Sequence, residues 1–381
     1  MIIGIDISSI PYGTGVSNYT LNLVRSLLKT DKTNTYKLFY SSLRRPLPPE
    51  IKQLAYHHQF KIYHHRLPPT LLSFIWNKLH ILPIELFIGK CDIFHTSDWT
   101  QPSTKHAKTI TTIHDLVPFI FPETLHPLIV KTHTLKLKQA IQHCHHFICV
   151  SQNTQTDLLK IFPQIKITQT SVIHEAAETK YDQFLELSLK KQALKKEKIY
   201  RFYDLKKYLL AQGTREPRKN LHRLITAFIK YKNKYPKSTL ELAISGKYGW
   251  GQDVAHLKHP FIKILGYIPE KDMVALHASA LALAYPSTYE GFGLPIIKSL
   301  KVGVPVICSN TSSMPEIVGD AGLLVNPNSV DEIAQAICKI SRYPSLRKKL
   351  IQKGLVQAQK FSWDQTAKQT LLVYNQVNNL K

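Results

Sequence analysis

Hydrophobic residues along this chain follow two patterns, short apolar runs and longer segments with helical periodicity. The first run, residues 2–7, is rich in β-branched side chains and predicts a strand. A polar loop follows, and from Val16 onward apolar residues such as Tyr19 and Leu23 recur at the spacing of a helix. Strand, loop and helix in this order predict the first unit of an α/β fold.

The same succession recurs in two series. Further strands are predicted in the first series at 36–40, 93–96, 109–113 and 146–150, and in the second at 208–212, 240–245, 262–265, 282–285 and 304–308. An amphipathic helix is predicted over residues 128–144. Strands that alternate with helices form parallel sheets covered on both faces. We therefore expect two Rossmann-like, doubly wound domains that bind ligands at the carboxyl ends of their strands, facing each other across a cleft.

The length of 381 residues also predicts two domains. We expect an N-terminal, acceptor-side domain at 1–176 and a C-terminal, nucleotide-binding domain at 177–360, with a lysine-rich linker near 176–200. Residues 361–381 have a helical pattern and are expected to pack back toward the N-terminal domain. The apolar segment 71–88 predicts a buried helix and strand, with a segment lying on a membrane surface as the alternative. No run of 18 or more apolar residues predicts a membrane span.

Composition narrows the class of protein. The five cysteines are scattered and form no Cys-x-x-Cys pair, which fits a reducing cytoplasm better than a disulfide framework. The N-terminus has no basic segment before its apolar run, so no secretory signal is predicted. A cytoplasmic location is therefore expected.

The formal net charge of +24 favours anionic partners. The excess of Lys and Arg is spread over both halves, and the chain has no helix-turn-helix, zinc-finger or RNA-recognition motif, so no nucleic-acid partner is predicted. Such a surface favours phosphorylated nucleotides and a peripheral contact with anionic lipids at the inner face of the cytoplasmic membrane.

The most informative motif is PSTYEGFGLP at residues 286–295, directly after an apolar strand. Gly291 and Gly293 allow the backbone to approach a ligand and direct N–H groups toward it. A helix that begins near Leu294 would direct its positive end to the same place, which suits a phosphate. The Glu290 carboxylate can accept hydrogen bonds from sugar hydroxyls, each worth about 1.5–3 kcal/mol.

This motif, TIHDLVPFIFPETLHP, GTREPRKNLHRLITAF and GIDISSIPYGTGVSNYTLNLVRSL together resemble family-four retaining glycosyltransferases of the GT-B fold, in particular their bacterial mannosyltransferase branch. The resemblance implies retaining transfer of a hexose from a nucleotide-diphosphate sugar to a glycan or lipid-linked acceptor in surface polysaccharide synthesis. Mannose from GDP-mannose is the first choice, and UDP-linked glucose, galactose or N-acetylhexosamine is the alternative. The nucleotide sugar is a substrate, and no other cofactor is implied.

By this resemblance, Lys219 binds the donor diphosphate with help from Arg215 or Arg218. A fixed cation there would stabilise the charge that develops on the leaving group. Phe292 and Leu294 complete the donor loop with its two glycines.

The resemblance also assigns roles to residues near the N-terminus. His114 is expected beside the reacting sugar, with Asp115 orienting its ring or serving the acceptor. Gly13 and Gly15 would bring the first loop close to the donor phosphate or acceptor. Most other histidines are expected at the surface, including the polar tract of His57, His58, His64 and His65.

At one position the chain departs from the family. Where the family places a second glutamate that binds both ribose hydroxyls, this chain has Lys298. An ammonium can only donate hydrogen bonds, so it does not replace a bidentate acceptor. Three interpretations follow: Lys298 contacts the donor phosphates, another carboxylate such as Glu316 replaces the missing one, or the protein is a weakly active or non-catalytic nucleotide-sugar- or glycan-binding relative.

The chain contains no Asp-x-Asp motif and no cluster with metal-ligand spacing. We therefore expect metal-independent transfer, in which Lys219, arginine and helix N–H groups meet the leaving-group charge. An enzyme that acts on nucleotide sugars without an acceptor, such as an epimerase, is a further alternative, which the 286–295 motif disfavours.

Overall fold

The computed structural model describes residues 1–54, 60–96, 98–251, 253–257 and 259–380. His57 and His58 of the predicted surface tract lie outside these residues. The contacts divide the chain into two units. Unit 1 comprises residues 1–175 and 362–381, and unit 2 comprises residues 176–361.

Unit 1 contains a seven-stranded parallel sheet. Its strands are β1 Ile2–Asp6, β2 Thr35–Ser41, β3 Phe60–His65, β4 Ile93–Thr96, β5 Lys108–Ile113, β6 His146–Cys149 and β7 Thr170–Val172. They lie in the order β3-β2-β1-β4-β5-β6-β7, and every described pair is parallel. Strands β4 and β6 are buried along their whole length, as a sheet covered by helices on both sides requires.

The helices of unit 1 connect these strands. They are α1 Gly15–Thr30, α2 Pro49–Leu54, α3 Pro69–Leu72, α4 Glu85–Ile88, α5 Val117–Ile120, α6 Pro127–His143 and α7 Gln152–Ile161, with a π-helix over Ser73–Leu79. The Thr14 and Ser17 side chains form a capping box at the start of α1.

Unit 2 contains a six-stranded parallel sheet. Its strands are β8 Tyr208–Gln212, β9 Glu241–Ser245, β10 Ile262–Gly266, β11 Ala282–Tyr285, β12 Val306–Ser309 and β13 Gly322–Val325, in the order β10-β9-β8-β11-β12-β13. This is the 3-2-1-4-5-6 order of the Rossmann fold. The order reverses between β8 and β11, and the loops that follow these two strands therefore border the crevice at which such sheets bind ligands.

The helices of unit 2 complete this fold. They are α8 Lys180–Glu186, α9 Leu189–Phe202, α10 Leu221–Lys234, α11 Glu270–Ser279, α12 Leu294–Lys301, α13 Met314–Val318, α14 Val330–Arg342 and α15 Pro344–Ala358. The prediction of two Rossmann-like parallel-sheet domains is confirmed.

The last helix, α16 Trp363–Asn378, belongs to unit 1 although it follows unit 2 in the chain. It packs on α1, and the Tyr374 hydroxyl lies 2.7 Å from Nδ1 of the buried His95. The side chains of Trp363, Val373, Tyr374 and Val377 are buried.

Two local expectations are wrong. Residues 180–202 are not a linker, because α8 and α9 are helices of unit 2, and α9 packs on α11 through bonds such as that from the Tyr200 hydroxyl to the Ser279 carbonyl. The segment 71–88 contains no strand and forms the end of α3, the π-helix and α4. In this segment Trp76, Ile84 and Ile88 are buried, whereas other large apolar side chains are exposed.

Two residues of the expected surface tract are described, and His64 is exposed as expected. His64 and His65 lie in β3, and the His65 ring stacks on Phe39 while its Nε2 lies 3.0 Å from the Phe87 carbonyl oxygen. The described part of the tract therefore lies in an edge strand of the sheet, in which His65 is only partly exposed.

Candidate active site

Opposite charges meet where the loops after β8 and β11 come together in unit 2. The Lys219 ammonium lies 2.6 Å from one carboxylate oxygen of Glu290, and the Arg218 guanidinium lies 2.7 Å from the other. Arg218 also donates to Glu216 at 2.5 Å. These side chains are nearly buried, with no more than 13% of any of them exposed. The fold therefore places two cations and two carboxylates at its expected ligand-binding position.

Local structure brings the two cations to this position. A 3₁₀ turn over Pro217–Lys219 carries both of them and ends at Asn220, which has a left-handed conformation with φ of 57°. The Asn220 side-chain amide donates to the Pro286 carbonyl, and the Thr288 N–H donates to the Arg218 carbonyl at 2.9 Å. These bonds hold the segment that carries Lys219 against the start of the 286–295 motif.

The charged groups of the cluster shift one another's pKa values. Burial would raise the pKa of the Glu290 carboxyl, but Arg218 and Lys219 outweigh burial and lower this pKa to about 2. Burial and the charge of Arg218 lower the pKa of Lys219, against the opposing effect of Glu290. The Lys219 ammonium also donates to the Tyr285 hydroxyl at 2.9 Å. Glu290 is thus an ionised carboxylate that pairs with two cations.

The glycine-containing loop joins this cluster to α12. Gly293 adopts a φ of 101°, and α12 starts at Leu294 without a side-chain cap on its first turn. The Ser313 hydroxyl bonds to the carbonyl oxygens of Glu290 and Phe292 at 2.8 and 2.9 Å, which fixes the path of the loop. Phe292 is buried and packs edge-on against Phe361. Gly291, Gly293 and Leu294 are therefore backbone elements of the same site as Lys219.

The two candidate arginines have different surroundings. Arg215 forms an ion pair with Asp253 at 3.0 Å and donates to the Gly246 carbonyl. Arg218 instead shares the Glu290 carboxylate with Lys219. The structure therefore places Arg218 beside Lys219 and directs the Arg215 guanidinium toward the loop after β9.

His114 lies in unit 1, directly after β5. Its Nδ1 is 3.0 Å from the Glu175 carboxylate, and the Tyr19 ring packs edge-on at a centroid distance of 4.6 Å. Burial would lower the pKa of His114, but Glu175, with Asp98 and Asp115, raises it above its ordinary value. The imidazolium form of His114 is therefore stabilised by carboxylates.

The other predicted residues of unit 1 lie near the starts of helices α1 and α5. Asp115 accepts a hydrogen bond from the Val117 N–H at 3.0 Å, so the carboxylate that bonds the His114 ring is Glu175 and not Asp115. Gly13 has a φ of 67° and ends a short 3₁₀ turn, whereas Gly15 is the first residue of α1. A Cβ atom at either glycine would meet no atom within 4 Å, so the space beside both is open.

Lys298 lies on α12 and is buried. Its ammonium is 3.2 Å from the Glu178 carboxylate and 5.3 Å from the centre of the Tyr181 ring. The carboxylate that accompanies Lys298 is therefore Glu178, which lies near the start of unit 2.

Sequence reasoning missed Tyr285, Glu175 and Glu178. Tyr285 ends the predicted strand 282–285, so its position at a carboxyl end was a usable signal. Glu175 and Glu178 follow β7, a strand of three residues whose short sequence carries no clear pattern. Glu175 pairs with His114, which lies 61 positions earlier in the chain, and Glu178 pairs with Lys298, which lies 120 positions later.

Comparison with known proteins adds the family. The family described as Glycosyl transferases group 1 matches residues 192–356, and Glycosyltransferase Family 4 matches residues 13–180. The O-antigen chain mannosyltransferase B of Escherichia coli is 31% identical over 95% of this chain and 96% of its own length. The O-antigen chain mannosyltransferase RfbU of Salmonella typhimurium is 26% identical over 73% of each chain.

Solved structures share the fold. The structure of Anabaena Alr3699/HepE in complex with UDP and glucose has a TM-score of 0.70 at 16% identity, covering 98% of this chain and 99% of that one. The structure of WaaG, a glycosyltransferase involved in lipopolysaccharide biosynthesis, has a TM-score of 0.71 at 11% identity, with the same coverage. Both family matches and the 31% identity over nearly the whole of a relative show that this chain is a GT-B glycosyltransferase, a member of family 4 and of the group 1 glycosyltransferases.

Proposed function

We propose that the chain transfers a hexose, with mannose as the first choice, from a nucleotide-diphosphate sugar to a glycan or lipid-linked acceptor in surface polysaccharide synthesis. The observation that carries the proposal is the pairing of Lys219 and Arg218 with Glu290, in the loop that leads into α12, at the reversal point of the unit 2 sheet. The preference for mannose, and for GDP-mannose as donor, rests on relatives that are named as O-antigen mannosyltransferases.

The chemistry follows from the charges. When the bond between sugar and diphosphate breaks, negative charge grows on the leaving phosphate. Lys219, Arg218 and the N–H groups of the first turn of α12 would stabilise that charge from fixed positions, so the proposed transfer is metal-independent. Glu290 holds both cations before the donor binds and would accept hydrogen bonds from the hexose.

We further propose that the reaction retains the configuration of the sugar, with the donor leaving and the acceptor attacking on the same face. His114 would hydrogen-bond the reacting sugar. Its imidazolium form, supported by Glu175, is a donor on both ring nitrogens and would suit an electron-rich sugar oxygen.

A two-stage experiment tests these proposals. Thermal shift with GDP, UDP and their sugars identifies the nucleotide, because a ligand that binds the folded state raises its stability. Transfer to a mannose-terminated acceptor is then followed with and without EDTA, and NMR of the product gives the configuration at the anomeric carbon. Binding without turnover would favour the non-catalytic alternative raised by Lys298, and a product sugar that stays on the nucleotide would favour an epimerase.

We also propose that the protein works in the cytoplasm, in peripheral contact with anionic lipids. No helix among the described residues is long and apolar enough to span a bilayer. Large apolar side chains are exposed within a short stretch of unit 1, accompanied by Lys78, whose ammonium lies over the Phe74 ring at 5.3 Å. The exposed side chains are Leu71, Phe74, Leu79, Ile81, Leu82 and Leu86. Apolar side chains beside a cation suit the boundary between headgroups and acyl chains.

Sedimentation with vesicles tests the membrane contact. We expect binding to phosphatidylglycerol vesicles that exceeds binding to phosphatidylcholine vesicles and falls with salt. Phe74→Ser combined with Leu86→Ser should weaken it, whereas Leu372→Ser, which changes an equally exposed leucine on α16, should not. Equal binding by the wild type, the double variant and Leu372→Ser would contradict the proposed contact.

A further inference from the structure

The surroundings of Lys298 are unusual for a lysine on a helix. The residue is buried on α12, and its ammonium meets the Glu178 carboxylate through one oxygen, Oε1, at 3.2 Å. The ring of Tyr181, one turn after Glu178 in the chain, lies 5.3 Å from the same ammonium. Lys298, Glu178 and Tyr181 thus form one small cluster within unit 2.

Two polar atoms of this cluster are buried without a hydrogen-bond partner among the described residues. One is Oε2, the second oxygen of Glu178, and the other is the hydroxyl of Tyr181, a residue with no exposed surface. Buried polar groups in native proteins are almost always satisfied, and leaving one unsatisfied is costly. An acceptor and a hydroxyl that are both unsatisfied in one place indicate a polar ligand rich in hydroxyl groups.

The lysines near Glu178 keep its carboxylate ionised. Burial would raise the pKa of Glu178, but Lys298 and Lys180 lower it. An ionised carboxylate accepts hydrogen bonds and cannot donate one. The ligand must therefore offer donors to Glu178, as the two neighbouring hydroxyls of a ribose do.

The position of Lys298 on α12 relates the cluster to the diphosphate site. Lys298 follows Leu294, the first residue of the helix, by four positions, which corresponds to about 6 Å along a helix axis. In a nucleoside diphosphate the ribose is attached directly to the phosphate. A phosphate at the start of α12 would thus have its ribose at about the depth of Lys298.

We propose that Glu178 binds the ribose hydroxyls of the donor nucleotide and that Lys298 positions Glu178 for this contact. The inference rests on the proposed function and adds to it a specificity residue that is remote from the donor motif in sequence. The carboxylate comes from the segment before α8, and the helix α12 supplies its counterion.

Calorimetric titration with paired nucleotides tests this contact. GDP and UDP are titrated first, and whichever binds is then compared with its 2′,3′-dideoxy form. We expect the wild type to bind the ribonucleotide about 10- to 100-fold more tightly than the dideoxy form. This ratio corresponds to the free energy of a hydrogen bond to a charged group. In Glu178→Ala and Glu178→Gln this preference should shrink to a few-fold or less, while the affinity for the dideoxy form stays within about two-fold.

The dideoxy nucleotide serves as an internal control for folding, because its affinity reports an intact diphosphate site. Glu186→Ala, which removes an exposed glutamate from α8, should keep the full preference for ribose. A Glu178→Ala protein that keeps this preference would overturn the inference alone. A wild type that binds neither nucleotide would overturn the proposed function, and this inference with it.

Two substitutions of Lys298 test its role as the counterion of Glu178. Lys298→Met removes the cation and leaves the Glu178 carboxylate, so we expect the preference for the ribonucleotide to fall to a few-fold, while the affinity for the dideoxy form stays within about two-fold. Lys298→Arg keeps a cation beside Glu178 and should retain at least a ten-fold preference. A Lys298→Met protein that keeps the full preference would show that Lys298 does not position Glu178.

Discussion

At the scale of single residues, the site depends on charges that are buried together. Glu290 is shared by Lys219 and Arg218, and each of the three would be costly to bury alone. Pairing therefore keeps both cations in position before a donor arrives. A diphosphate that brings its own negative charge finds these cations already placed, which lowers the cost of reorganisation in the transition state.

Replacement of Lys219 by alanine should reduce transfer strongly. Loss of one fixed donor that stabilises negative charge in a transition state lowers kcat by about 10²- to 10³-fold, and we expect an effect of that size here. The measurement is the rate of hexose transfer with the donor identified by the binding panel, and Lys219→Arg should recover part of it. Lys230→Ala removes an exposed lysine paired with Asp331 on a neighbouring surface and should change the rate less than two-fold. A Lys219→Ala enzyme within three-fold of the wild type would contradict this role.

The protonation of His114 should depend on Glu175. Because the folded-state pKa of His114 is raised, the pair stabilises the fold fully below the ordinary histidine pKa of about 6.5. This contribution is lost as the pH rises through the higher folded-state pKa. Histidine-resolved NMR should show His114 titrating above 6.5 in the wild type and at lower pH in Glu175→Gln. Glu123→Gln, at an exposed position, should leave the titration unchanged, and a His114 that titrates identically in all three proteins would refute the coupling.

At the scale of elements, both the turn that carries Lys219 and the loop that carries Gly293 lie between a strand and the helix that follows it. The turn after β8 carries Lys219, and the loop after β11 leads through Gly293 into α12. Bonds between the two loops, such as that from the Thr288 N–H to the Arg218 carbonyl, keep them together. The backbone conformation of Gly293 is therefore as important to the site as the charged side chains.

Substitution of Gly293 by alanine should destabilise this junction. A φ of 101° is unfavourable for any residue with a Cβ atom, at a cost of about 1–3 kcal/mol. Native-state hydrogen exchange of the peptide 290–301 should show a local opening free energy lowered by that amount. Gly15→Ala is the matched control, since Gly15 starts a helix and a Cβ atom there meets no neighbour. Unchanged exchange in Gly293→Ala would show that the junction relaxes without strain.

At the scale of the whole molecule, unit 1 is assembled from two distant parts of the chain. Residues 362–381 return to unit 1 after unit 2 is complete, and α16 covers α1. The buried side chains of α16, with the bond between Tyr374 and His95, make this return part of the core of unit 1. The two units should therefore respond differently to changes at the C-terminus.

Removal of residues 362–381 should destabilise unit 1 selectively. Each large side chain that α16 buries contributes about 1.5–3 kcal/mol, so the loss of four approaches the whole stability of a domain, about 5–15 kcal/mol. Hydrogen exchange measured by mass spectrometry should show lost protection in β1 and β4, with β8 and β11 still protected. Removal of residues 379–381 alone should have no such effect. Equal loss of protection in both units would contradict the assignment of α16 to unit 1.

Much of the fold follows from local sequence patterns. Every strand in the interior of the two sheets lies at a predicted position, because a buried parallel strand is a continuous apolar run. The strands that were not predicted, β3, β7 and β13, all lie at sheet edges. An edge strand has fewer neighbours, so its sequence can be short or polar, as the histidines of β3 show.

The candidate site divides in the same way. Glu290, Gly291 and Gly293 are recognisable in sequence, because a strand end, a carboxylate and two glycines lie close together along the chain there, whereas Lys219 is identified through the family resemblance. The partners of His114 and Lys298 cannot be recognised in this way. Glu175 is 61 positions from His114, and Glu178 is 120 positions from Lys298. Local patterns specify elements and turns, whereas the pairing of buried charges depends on which elements the folded chain brings together, and only the three-dimensional arrangement contains that information.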